Sequence, residues 1–172
     1  MRHPPVQVPA GICYGRTDLP LLPGWQDEIP GLAETAARIR PSLVVASPLS
    51  RCLLPARALA ARLGLPVRID DDLCELDFGD WEGLAWERVP RAALDRWAAD
   101  PAGFAPPGGE SGQALIRRID EAAGRLRDAA CNALVVSHGG PLRLLGPMLR
   151  GEAPDLLAPA PAMGRIETLR IG

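Results

Sequence analysis

The chain contains two histidines, and each stands beside groups suited to an anion. Arg2 precedes His3, while Gly139 and Gly140 follow His138 at the end of the run Ala133-Leu134-Val135-Val136-Ser137. A neutral imidazole nitrogen can attack phosphorus in line and carry the phosphoryl group, which divides a difficult hydrolysis into two easier displacements. Charge on the phosphoryl oxygens must be held throughout, and a guanidinium such as that of Arg2 offers planar paired donors that an ammonium lacks. The backbone N–H groups of Gly139 and Gly140 can serve the same anion. Taken alone, a histidine followed by two glycines also fits a strand-ending turn, so the elements around it decide its meaning.

Those elements alternate between strand and helix. Ser42-Leu43-Val44-Val45-Ala46 reads as a buried strand, and the Leu-, Ala- and Arg-rich stretch over about 48–63 as the helix it feeds. A short second strand is predicted over 66–69. Ser111 can cap a long helix in which Leu115, Ile119, Ala122 and Leu126 share one face, with Arg117, Arg118, Asp120, Glu121, Arg125 and Asp128 on the opposite one. A strand over 133–136 then ends at Ser137-His138, a helix follows over 141–149 with its proline in a tolerated early position, and 166–171 closes as a strand. Repeated strand-then-helix connections predict an α/β fold, a three-layer sandwich around a mostly parallel central sheet, whose ligands sit at the carboxyl ends of the strands. His138 falls at such an end.

Length and composition limit the rest. A chain of 172 residues makes one domain, 1–172, with a single core. Segment 78–107 holds three of the four tryptophans and many prolines, and is expected to form short helices and loops that act as a lid. Trp81, Trp86 and Trp97 read as the core of that lid rather than as a stacking platform for a base. The hydrophobic fraction of 47% and charged fraction of 23% fit a globular protein, and no apolar run reaches the ~20 residues of a bilayer span. Net charge is −2, and the 19 basic residues, all arginine, are scattered among 21 acids, so neither nucleic acid nor membrane is an expected partner. Cys13, Cys52, Cys74 and Cys131 show no C-x-x-C pair, and no charged-then-apolar leader is visible, which points to the cytoplasm. His3 and His138 lack the spacing that would put two ligands on one helical face, so no metal is expected. Nothing in the pattern fixes an oligomeric state.

Along almost its whole length the chain resembles the histidine phosphatase, or phosphoglycerate mutase-like, family. Four blocks match in order: Arg2-His3; Ser47-Pro48-Leu49-Ser50-Arg51-Cys52; the stretch Glu75-Leu76-Asp77-Phe78-Gly79-Asp80-Trp81-Glu82-Gly83; and Ser137-His138-Gly139-Gly140. The segment from Gly11 to Leu21 and Pro107-Gly108-Gly109-Glu110-Ser111 further resemble the α-ribazole phosphatase branch. Arg51 or Glu75 alone would read as surface charge, but the ordered blocks override that.

The resemblance implies a phosphomonoesterase with a small phosphorylated substrate, α-ribazole 5′-phosphate being the expected one, and no cofactor. His3 is the expected nucleophile. Arg2, Arg51 and the Gly139 N–H are the expected phosphate ligands, His138 a donor to the same oxygens, and Glu75 the acid that protonates the leaving oxygen and then accepts a proton from water. Glu110, before the helix cap, could touch substrate, but an acid complementing a helix dipole explains it as well, and it is assigned no part in the site. Phosphoglycerate mutase activity and a non-catalytic phosphate-binding role are the alternatives. Two positions depart from the pattern: Pro4-Pro5 stands where glycine usually follows the histidine, removing one backbone donor, and Pro9 replaces a polar residue. The family's first strand, expected beside the strand ending at Val136, is represented by Met1 alone, which suggests a start codon several residues upstream.

Overall fold

The computed structural model describes residues 1–170. Three parallel strands, β1 (Leu43–Ala46), β2 (Val67–Ile69) and β3 (Ala133–Val136), lie in the order β2-β1-β3. Leu43 pairs with Ala133 and Ala46 with Val136 on one side, and Val44 with Val67 on the other. Successive side chains of β1 point to opposite faces. Val44 and Ala46 join Leu134 and Val136 against α1 (Ile29–Ala37) and α2 (Ser50–Leu63). Val45 packs on the other face with Leu115, Ile119, Ala122 and Leu126 of α4 (Gly112–Asp128) and Leu144, Leu145 and Met148 of α5 (Gly139–Leu149). Burial on both faces is why β1 reads as an unbroken apolar run. The three layers expected from the sequence are present, and the apolar face of α4 is the one its spacing named.

The N-terminus occupies the next position in the sheet as a single-residue ladder. Arg2 bridges in parallel to Ser137 on one side and to Met163 on the other. The Met1 amine donates to Val135 O at 2.7 Å, and the Ser137 N–H donates to Met1 O at 3.1 Å. The strand expected over 166–171 does not form within 165–170, which is irregular; Ile171 lies outside the described residues. Its β-propensity is satisfied only alongside a partner strand, and the partner here offers one bridged residue. Ile166 instead packs against the core beneath α1 and α2.

Segment 78–107 folds as expected into short pieces, with 3₁₀ turns at Gly79–Trp81 and Trp86–Arg88 and the helix α3 (Arg91–Ala99). Its aromatic residues make a small core of their own. Trp86 stacks on Trp97 with centroids 6.1 Å apart, and Trp81 on Phe104 at 5.8 Å, around buried Cys13, Val89 and Ala93. Among the described residues no helix is long and apolar enough to cross a membrane.

Candidate active site

The strand ends bring the two histidines together. His3 leaves the sheet directly after the Arg2 bridge, its N–H bonded to Ser137 O at 3.0 Å, and His138 leaves β3 as the residue before α5. Their rings meet edge to face with centroids 5.3 Å apart, and both are almost fully buried. The Nδ1 of His3 lies 2.7 Å from Pro4 O, an acceptor only, so Nδ1 carries the proton and donates it there. In the neutral ring, Nε2 then keeps its lone pair. Pro4 thus removes one N–H from the loop, as the sequence implied, yet its carbonyl fixes the imidazole's tautomer.

Burial is the main reason His3 titrates low, at about 4; the bond to Pro4 opposes this, and the Arg51 and Arg2 charges add to it. His138 is pushed well below its ordinary value, again by burial first and then by Arg51, His3, Arg118 and Arg2. Near neutral pH both rings are uncharged. The Arg51 Nε–H donates to His138 Nδ1 at 3.2 Å, which leaves the proton of neutral His138 on Nε2, donated to Ser47 Oγ at 2.8 Å. Cys52 Sγ lies 3.4 Å from the same ring nitrogen.

Arg51 is completely buried in the first turn of α2. Beyond His138 it donates from Nη1 to Thr17 O at 2.7 Å and from Nη2 to Gly15 O, and it lies over the Tyr14 ring at 5.5 Å. The loop carrying these carbonyls is held by Glu82, whose carboxylate accepts from the N–H groups of Arg16, Thr17 and Phe78 and from the Thr17 hydroxyl. Burial raises the Glu82 pKa, but those four donors outweigh it and the net shift is downward. Glycine at 15 is required, since a Cβ there would sit 2.1 Å from Leu76 O. Asp18, at the loop's end, accepts from the N–H and hydroxyl of Ser50 and so caps α2 beside Arg51.

Arg2 donates from Nη1 to Pro161 O at 3.1 Å, and its buried Nε–H has no partner among the described residues. A Cβ at Gly139 would lie 3.2 Å from Arg2 Cζ, which places this guanidinium against the start of α5. Glu75 reaches the same helix terminus: the Gly140 N–H donates to its two carboxylate oxygens at 3.1 and 3.3 Å, and the Leu76 N–H to Oε1 at 3.0 Å. His3, His138, Arg2, Arg51, Glu75 and Gly139 therefore gather at the carboxyl end of β3 and the start of α5. Their arrangement can supply an unprotonated nucleophile, two guanidinium groups, helix N–H donors and one carboxyl group to an anion.

Several partners of these groups were not singled out in the sequence. Ser47 and Asp18 lie inside quoted blocks, so a signal for them existed. The carbonyls of Gly15 and Thr17 carry none, because backbone acceptors are the same in every residue. Glu110, directly before the Ser111 cap of α4, forms a two-point pair with Arg118 and accepts from the Asp77 N–H. Arg118, expected on the solvent face of α4, has a side chain only 12% exposed. Among the described residues no cluster of three or more His, Cys, Asp or Glu side chains could hold a metal.

The histidine phosphatase superfamily (branch 1) model matches residues 1–160. A bifunctional protein of Mycobacterium tuberculosis is 38% identical over 128 residues, which cover 71% of this chain and 35% of that protein. A glucosyl-3-phosphoglycerate phosphatase of Mycolicibacterium vanbaalenii is 39% identical over 114 residues, covering 64% of this chain and 51% of that one. The chain thus spans about a third to a half of the length of these relatives. The crystal structure of a putative alpha-ribazole-5′-P phosphatase from Escherichia coli superposes with a TM-score of 0.78 at 30% identity, covering 89% of this chain and 78% of that one.

Proposed function

Because the chain belongs to the histidine phosphatase superfamily (branch 1), we propose that it hydrolyses a small phosphate monoester through a phosphohistidine formed on His3. The observation that carries this reading is the bond from His3 Nδ1 to Pro4 O, which leaves Nε2 unprotonated in a ring that titrates at about 4. In the first step the Nε2–P bond forms as the P–O ester bond breaks, and Glu75 delivers its proton to the leaving oxygen, releasing the alcohol. In the second, water attacks phosphorus, the N–P bond breaks, the water proton passes to Glu75, and inorganic phosphate leaves. Ester and water become alcohol and phosphate, with His3 and Glu75 restored.

The free Nε–H of Arg2, the remaining Nη hydrogens of Arg51 and the Gly139 N–H hold the phosphoryl oxygens. His138 joins them by turning its Nε2–H from Ser47 to the bound group. The aromatic segment 78–107 covers the ester. For substrate, α-ribazole 5′-phosphate is favoured by the resemblance of the 11–21 and 107–111 segments and by the likeness to the Escherichia coli protein. The partner is a small phosphorylated molecule, and the reaction needs no metal or cofactor.

Labelled phosphate from a reactive ester should be trapped on His3 after rapid quenching, equally well with and without EDTA, and His3→Ala should abolish the label. A label on another residue, or one that depends on a divalent ion, would overturn this mechanism. Isomerisation of 3-phosphoglycerate instead of phosphate release would turn the reading to a mutase, and phosphate binding without label or turnover to a non-catalytic relative.

A further inference from the structure

Glu75 sits on a strap, residues 70–78, that belongs to no strand or long helix, yet a proton donor must be held to within a fraction of an ångström of the leaving oxygen. Below that strap lies Arg118. Its Nη1 donates to Asp72 O at 2.5 Å and to Cys74 O at 2.6 Å, and its Nη2 donates to Glu75 O at 3.0 Å. Its remaining donors engage Glu110, Nη2 to Oε1 at 2.5 Å and Nε to Oε2 at 3.1 Å. A guanidinium has five N–H groups, and all five are used on the strap and its buttress. None is left for a substrate.

On this geometry, and resting on the phosphatase reading above, we infer that Arg118 is a positioning residue for Glu75. It grips three carbonyls within four residues of the strap, and Glu110 fixes the guanidinium from the far side while also accepting from the Asp77 N–H. From the sheet side the Ser137 hydroxyl donates to Leu73 O at 2.6 Å, so the strap is held at Asp72, Leu73, Cys74 and Glu75. Its free end is the Glu75 carboxylate, docked on the Gly140 N–H. Lysine cannot replace this arginine, because three donors on one nitrogen cannot reach five acceptors spread around a plane.

The test separates proton delivery from phosphate binding by the leaving group. Phenyl phosphate needs its departing oxygen protonated, whereas 2,4-dinitrophenyl phosphate releases a stable anion. Through kcat/KM, which reports transfer to His3, Arg118→Lys should lose roughly 10–10²-fold with phenyl phosphate, a part of what a general acid supplies. With the dinitrophenyl ester the loss should stay within about threefold, since the phosphate ligands are untouched. Glu110→Gln, which keeps the arginine but weakens its anchor, should show the same selectivity at smaller size, and it serves if Arg118→Lys does not fold. Equal losses with both esters in the folded variant would overturn the inference and make Arg118 a structural residue only. Failure of the unsubstituted chain to turn over either ester would instead overturn the phosphatase reading, and this inference with it.

Discussion

The two glycines after His138 serve different neighbours, and substitution should tell them apart. A Cβ at Gly140 would lie 2.3 Å from Glu75 Oε1, whereas at Gly139 the nearest atoms, Ala160 Cβ and Arg2 Cζ, are at 3.1 and 3.2 Å. Gly140→Ala should therefore displace the carboxylate and cost about 10²-fold or more in kcat, with Gly139→Ala costing less. Both lie in α5, where alanine favours the helix by about 1 kcal/mol, so melting temperatures should not fall in step with activity. A second expectation concerns pH. His3 titrates at about 4 in the folded chain and near 6.5 when unfolded. Between those values the unfolded chain binds more protons, so stability is complete above about 6.5 and is lost as pH falls towards 4, by about 3 kcal/mol for this ring. Melting curves from pH 7 to 4 should show the decline, and His3→Asn should flatten it; an unchanged slope would contradict a buried neutral His3. Residue types in four ordered blocks made Arg2, His3, Arg51, Glu75 and His138 legible. Their tautomers were not, because those depend on Pro4 O and the Arg51 Nε–H, groups that only the fold brings near.

At the level of elements, the loop ending at Asp18 and the helix α2 form one unit. The Asp18 carboxylate takes the Ser50 N–H at 2.9 Å and its hydroxyl at 2.8 Å, closing the helix terminus from which Arg51 projects. Asp18→Ala should cost about 1 kcal/mol as a lost cap and raise KM for a phosphate ester. A loss of stability with KM unchanged would show that the cap and the Arg51 position are independent. Periodicity located β1, β3, α2, α4 and α5 within a few residues, because each carries an apolar face against one of two cores. It failed at Arg118 for a definite reason. The residue lies three positions after Leu115 and one before Ile119, on the margin of the buried stripe, where a long side chain can enter the interior if acceptors await it. The carbonyls of the 72–75 strap are those acceptors, and they leave no trace in the pattern of α4. Of the strand expected over 166–171, none forms over the described residues 166–170, because alternation describes one strand while pairing is a property of two.

Across the whole molecule, the aromatic cluster and the sheet core are separate bodies of apolar contact, joined at Phe78, which packs against both. Composition had pointed to a distinct unit there, since tryptophans crowd into a segment that has no strand. The single Arg2 ladder carries a different kind of consequence. It brings residues 134 positions apart into contact, and closing so long a loop costs on the order of 4 kcal/mol of chain entropy. Contacts of that span tend to form late, after β1, β2 and α2 have found their near neighbours. A chain part-way through folding would thus hold Arg51 on its helix, Glu75 on its strap and His138 beside Arg51 while the His3 imidazole is still missing. On the proposed mechanism, recovery of turnover after dilution from denaturant should lag behind recovery of helical signal, making catalysis a clock for the last docking event.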